Sequence, residues 1–293
     1  GFKFNILIYM ANLKEIRNRI SSVSSTMQIT SAMKMVSAAK LKKAQDAIIA
    51  MRPYSEKLSD LMKGLSGSSD DDRFTENRDS KNILIVAISS NRGLCGAFNA
   101  NVLKQIAIFK SRQNLENSNI DYVTIGKKMN DSLSKNDNVI LNESSLFDDL
   151  NYENVSVITE KLITLFIEKK YDHIEIVYNS FKNAATQIIK SEQFLPIVQD
   201  ENANSQNSNF IFEPSQESIV NTLIPKSLKI QLFKAVRDSF ASEHGARMTA
   251  MHKATDNASE LRDELKLTYN KARQASITNE ILEIVGGAEA LNN

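Results

Sequence analysis

At 293 residues, with 42% hydrophobic and 24% charged residues, the chain has the make-up of a soluble protein of one or two domains and a sizeable core. A formal net charge of +1 gives no electrostatic reason to expect nucleic acid or an anionic membrane as a partner. One cysteine rules out a disulfide framework and a four-cysteine zinc site, the three histidines have no companion at metal-ligand spacing, and no apolar run nears the roughly 20 residues of a membrane span.

The first residues, GFKFNILIY, lack both the charge cluster and cleavage site of a signal peptide and the arginines of a transit peptide. A helical pattern begins after Met10. Residues 1–9 are therefore expected to precede a natural start at Met10, or else to form a short strand. From Leu13 a three-four rhythm takes in Ile16, Ile20, Val23, Met27 and Thr30, and later Leu41, Ala44, Ile48, Met51, Leu58, Met62 and Leu65. Such a repeat predicts a coiled-coil helix over 10–66. Lys34 and Ser37 interrupt it, Met33, Met35 and Val36 sit off it, and Pro53 predicts a kink.

Gly, Ser and acidic residues over 67–80 predict a linker. The period then changes to that of an α/β domain over 81–200. NILIVAI reads as a buried strand, NANVLKQIAIFKS as a helix, DYVTI as a strand, VSVITEKLITLFIEKK as a helix and HIEIVYNS as a strand, with a further extended piece near 186–198. Strands separated by helices imply a largely parallel sheet, Rossmann-like, with helices on both faces. The polar stretch QDENANSQNSN predicts an exposed loop over 201–214.

The remainder, 215–293, reads as helical, with Pro225 dividing a short helix from one that runs to about Val285, on the order of 90 Å long. A compact domain cannot bury such a rod. The economical solution is that the two terminal helices pair antiparallel. Their expected seam on this side is Met251, Ala254, Ala258, Leu261, Leu265, Thr268, Ala272, Ala275 and Leu282. A second apolar stripe, Ile277, Ile281, Ile284, Ala288 and Leu291, lies roughly 200° away in its start at Ile277 from Ala275, so the tail needs cover on another side.

The residues that carry chemistry are sparse. SSNRGLCGAFN stands between a strand and a helix, where such folds bind phosphate, but it fits neither G-x-G-x-x-G nor a Walker loop and reads as a structural turn. Cys95 reads as a half-buried structural thiol, Glu243 and His244 as polar seam residues, and Lys40, Lys42 and Lys43 as a solvated or partner-facing side. No catalytic, cofactor-binding or metal-binding residue is assigned. On these residues two alternatives stay open: a dinucleotide-binding enzyme with helical dimerisation arms, and a coiled-coil scaffold that grasps clients.

ANLKEIRNRISSVSSTMQITSAMKMVSAAKLKKAQ, RPYSEKL, SSNRGLCGAFN and the segment from ASEHGARMTAMHKATDNASEL to the terminal EILEIVGGAEAL closely resemble the gamma subunit of F-type ATP synthases. That family usually has Asp where this chain has Asn91, and the cysteine-bearing redox insert of chloroplast members is absent. The resemblance implies a non-catalytic rotor shaft without cofactors, peripheral to a bacterial inner membrane on its cytoplasmic side. Its partners would be the alpha and beta subunits of the catalytic hexamer, the epsilon subunit and the membrane c-ring. It implies that Lys34, Met35, Arg247, Arg273, Gln274 and Thr278 touch the catalytic ring, with Ile277, Ile281 and Ile284 facing its apolar sleeve. It also implies that Phe210, Phe212 and Glu213 meet the membrane ring.

Overall fold

A computed structural model describes residues 2–65, 72–76, 78, 81–112, 118–197 and 216–291. The chain forms two compact units: Gly1–Val36 with Ala250–Asn293, and Ser37–Thr249.

In the second unit, β1 (Asn82–Ile88) is the centre of a five-stranded sheet. It pairs in parallel with β2 (Asn119–Ile125) on one side and with β4 (His173–Phe181) on the other. Outside β2 lies β3 (Asn138–Asn142), also parallel, and outside β4 lies β5 (Gln187–Leu195), antiparallel. The expected largely parallel sheet is thus present, and the extended piece near 186–198 is its antiparallel edge. β3 is a strand that the sequence reading lacks. Its apolar run, Val139, Ile140 and Leu141, is only three residues long between two asparagines, too short to mark a strand, and as an edge strand it alternates half-buried and exposed residues.

β1 is buried on both faces, which explains its unbroken apolar run. Ile83, Ile85 and Ala87 meet Val102, Ile106 and Phe109 of α2 (Phe98–Arg112) and Met129 of α3 (Lys127–Leu133). Leu84, Val86 and Ile88 meet Ile158, Leu162 and Phe166 of α4 (Tyr152–Ile167), together with Leu228, Leu232 and Val236 from the last helix, α5 (Gln216–Leu291). α4 starts where Asn151 accepts a 2.8 Å bond from the Asn154 N–H, with Glu153 in its first turn.

The first helix, α1 (Phe2–Leu65), takes in residues 2–9, where the sequence reading has a separate stretch or a strand. Pro53 sits inside it, and α5 likewise continues through Pro225 instead of dividing there. At Pro53 the physical reason is visible. Ile49, four residues earlier, faces solvent, so the carbonyl that loses its N–H partner can be hydrated. In the second unit Leu41, Ala44 and Ile48 of α1 pack with Ala241 of α5, and Phe181, Ala184 and Phe240 lie against them. Gly245 allows this closeness, since a Cβ there would stand 3.2 Å from the Ala184 backbone.

In the first unit the two helices run antiparallel, as three cross-helix contacts require: Arg17 Nη2 to Tyr269 Oη at 2.7 Å, Arg262 Nη1 to Met27 Sδ at 3.4 Å, and Thr255 Oγ1 to Thr30 Oγ1 at 2.8 Å. On α1 the covered row is the expected one, Leu13, Ile16, Ile20, Val23, Met27 and Thr30, and it continues through half-buried Lys34 instead of breaking there. Ser37, in the other unit, is also buried.

On α5 half of the expected seam is displaced. Met251, Ala254, Ala258, Leu265 and Ala272 are covered, but Leu261, Thr268, Ala275 and Leu282 are exposed. Arg262, Tyr269, Ser276 and Glu283, one position further on each time, are half-buried in their place, and Thr255 lies in the same row. The seam therefore pairs an apolar row with a polar row at seven-residue spacing. Polar groups prevail because the facing helix supplies Arg17, Met27 and Thr30 as their partners, which hydrophobic periodicity within one helix cannot reveal.

Candidate functional site

Two places on the chain hold most of the singled-out residues. One is the outward face of the first unit. Met35 is 64% exposed, and Val36 beside it is also exposed. On α5, Ile277, Ile281 and Ile284 are 47%, 55% and 72% exposed, and Gln274, Thr278 and Val285 join them on the same face at three- and four-residue steps. Arg273 is exposed one position away. Four large aliphatic side chains in little more than two helical turns face solvent here and form a contiguous apolar stripe without a partner among the described residues, while Ser276 and Glu283 are the half-buried positions of the same stretch. Lys34 is different: it lies half-buried in line with the helix-pair seam. Phe210, Phe212 and Glu213 lie outside the described residues, as does the 201–214 loop.

The other place is the turn after β1. Its backbone is fixed from several sides. Ser90 Oγ donates to the Arg92 carbonyl at 2.7 Å, and Ser90 N–H donates to Asn99 Oδ1 at 3.1 Å. The first N–H groups of α3 are taken up by this turn, Lys127 by Asn91 Oδ1 at 2.9 Å, Lys128 by the Ser90 carbonyl at 3.1 Å and Met129 by Ser89 Oγ at 3.0 Å. Asn91 also donates its Nδ2–H to the Ser144 carbonyl at 2.8 Å. A carboxylate at 91 could make the first of these two bonds and not the second.

Arg247 closes this region from α5. It is only 7% exposed, and its guanidinium is engaged within the chain. Nη2 donates to the Arg92 carbonyl at 2.9 Å and the Gly93 carbonyl at 3.2 Å, Nε reaches the Gly93 carbonyl at 3.3 Å, and Nη1 is paired with Glu243 at 2.7 Å. The turn therefore points carbonyl oxygens at a cation. A phosphate cradle needs the reverse, N–H groups aimed at an anion, so this turn has the wrong polarity for a dinucleotide.

Cys95 is fully buried, deeper than expected, against Phe98 and Ala246. Burial pushes its thiol pKa up, away from the reactive thiolate. Burial also raises the Glu243 carboxyl, against the pull of Arg247. His244 is buried edge-on to Phe240, with no hydrogen-bond partner on either ring nitrogen among the described residues, so it is a core residue of the second unit rather than a polar seam residue. Desolvation, with Arg247 and Lys40 nearby, holds its pKa down at about 4. Sequence reasoning missed Leu94, which is exposed and has a left-handed backbone, φ 63°. A non-glycine residue there costs roughly 1 kcal/mol, a signal that only coordinates supply.

A family model described as ATP synthase matches residues 12–291. An ATP synthase gamma chain of Christiangramia forsetii is 64% identical over 97% of this chain and 100% of its own length. The chain belongs to the ATP synthase gamma-chain family. A gamma chain of Flavobacterium psychrophilum is 65% identical, over 96% of this chain and 99% of that one. Among solved structures, a Tetrahymena thermophila mitochondrial ATP synthase central stalk/c-ring chain aligns with TM-score 0.61 at 26% identity, over 77% of this chain and 99% of that chain. A chain of the Euglena gracilis mitochondrial ATP synthase OSCP/F1/c-ring assembly aligns with TM-score 0.73 at 22% identity, over 96% and 95%, and speaks to the fold alone. Membership in this family sets aside the dinucleotide-binding enzyme and the client-grasping scaffold.

Proposed function

We propose that the chain is the central-stalk rotor subunit of an F-type ATP synthase and couples rotation of a proton-driven membrane ring to ATP synthesis in the alpha/beta hexamer without a catalytic site of its own. The observation that carries this reading is the unpartnered apolar stripe of Ile277, Ile281 and Ile284, exposed at three- and four-residue steps on one face of α5. Apolar contacts have no fixed hydrogen-bond geometry. A surface that must slide past several equivalent positions is best built from them.

Coupling follows from asymmetry. Three chemically equivalent catalytic sites around one shaft meet different faces of it, and a differential contact energy is what biases their open and closed states. Exposed Met35, Arg273, Gln274 and Thr278, with half-buried Lys34, supply the polar and adaptable contacts of that asymmetric face. The proposed contact with the membrane c-ring, through Phe210, Phe212 and Glu213, and with an epsilon subunit, rests on family resemblance. So does a peripheral place on the cytoplasmic side of a bacterial inner membrane, reached through partners. Among the described residues no helix is long and apolar enough to cross a membrane.

Affinity purification of the tagged chain from solubilised membranes tests the reading. Co-elution with a nucleotide-hydrolysing hexamer is expected, and recovery as a homo-oligomer with no hydrolytic partner overturns it.

A further inference from the structure

Three successive residues of the turn after β1 are held in different ways. The Gly93 carbonyl, like that of Arg92 before it, accepts from the Arg247 guanidinium. Cys95 is locked under the turn against Phe98 and Ala246. Leu94, between these anchors, is 64% exposed in a left-handed backbone conformation that a leucine adopts only under constraint. Pinned at both neighbours, Leu94 has only an outward direction left.

We propose that Arg247 is a positioning residue: it fastens the turn to α5, so that Leu94 stands as a fixed apolar projection that moves with the helix. The chemistry suits arginine in particular. A planar guanidinium serves two backbone carbonyls and the Glu243 carboxylate at once, whereas an ammonium on a flexible stem cannot hold the same fork. This gives Arg247 a role within the rotor reading that acts through Leu94, without contact of its own to a partner.

Cys95 is the chain's sole cysteine, so its thiol reports on the turn without interference. A maleimide reaches it only when the turn lifts, and the labelling rate measures that opening. In the full-length chain, Glu243→Gln/Arg247→Gln removes the guanidinium without stranding a buried carboxylate, and is expected to speed labelling about tenfold or more. Arg247→Lys is expected to fall between the double variant and the parent. Glu243→Gln alone leaves the fork on the two carbonyls and is expected to change the rate less than about threefold.

Each variant is labelled well below its own melting temperature, read by circular dichroism, which separates lifting of the turn from unfolding. A double variant that labels at the parental rate overturns the proposal. So does a Glu243→Gln variant as fast as the double one, since the ion pair and not the carbonyl fork would then hold the turn. Should the double variant fail to fold, Arg247→Lys carries the test, and an unchanged rate there overturns the proposal. The readout needs no partner, so its failure leaves the rotor reading standing.

Discussion

Replacing Ile277, Ile281 and Ile284 together by Asp separates the folding of the chain from its assembly. In the free chain these side chains are about half exposed or more, so little burial is lost. The cost is mainly helix propensity, about 1 kcal/mol for the three. In a complex whose apolar sleeve covers them, the surface still exposed on each isoleucine is worth about 1 kcal/mol, or about 3 kcal/mol together. Three carboxylates entering that sleeve unpaired add at least about 2 kcal/mol more. The sum, about 5 kcal/mol or above, is more than a thousandfold in the assembly equilibrium. Circular dichroism of the variant should therefore match the parent, while reconstitution with the alpha and beta subunits, followed by ATP hydrolysis, should fail or drop severely. Truncation after Gly286 is the control. Gly286 and Gly287 are exposed, with open space around both, and although α5 continues through them to Leu291, loss of that last turn should leave most of the activity. A triple variant that assembles and hydrolyses like the parent would refute the claim that this stripe rides against an apolar surface.

Thr30→Val and Thr255→Val should each destabilise the helix pair by about 1 kcal/mol, and the double variant by about 0.5–1 kcal/mol less than their sum, because the two hydroxyls share one bond; strictly additive thermal melts would show the bond to be idle. Gly126→Ala should cost about 2–4 kcal/mol in denaturant unfolding, since φ is 109° and a Cβ there would stand 2.3 Å from the Ser89 carbonyl oxygen, on a backbone whose N–H is tied to Ile125. A loss below about 1 kcal/mol would mean that this backbone relaxes freely. For His244 the folded pKa lies below the ordinary value, so its neutral ring costs nothing above about pH 6.5, and stability is lost as the pH falls toward about 4. The loss is on the order of 3 kcal/mol, and comparing parent and His244→Phe melts across that window should show the extra slope in the parent alone.

The N-terminal row from Leu13 to Thr30, the buried strand Asn82–Ile88 and the exposed stripe from Ile277 to Ile284 were legible because each is a local periodicity, set by which residues must leave water. The strand Asn138–Asn142 was not legible, since its apolar run of Val139, Ile140 and Leu141 is too short to establish a period. Nor were the helices that run on through Pro53 and Pro225, or past Gly286 and Gly287. Breaker residues carry a local cost, and here the rest of each long helix outweighs it.

Sequence by itself determined where the N-terminal helix and the central strand must hide apolar surface, because that follows from side-chain chemistry repeated along one segment. Only the tertiary structure decided which polar groups meet. Tyr269 faces Arg17 across 252 positions, Thr255 faces Thr30 across 225, and Arg247 faces the Gly93 carbonyl across 154. Hydrogen bonds act over about 3 Å and depend on direction, so no pattern within one helix foretells the partner that arrives from the other end of the chain. For the same reason Arg247, which looks in sequence like one more exposed cation on a helix, is in the folded chain the side chain that grips the turn beneath Leu94.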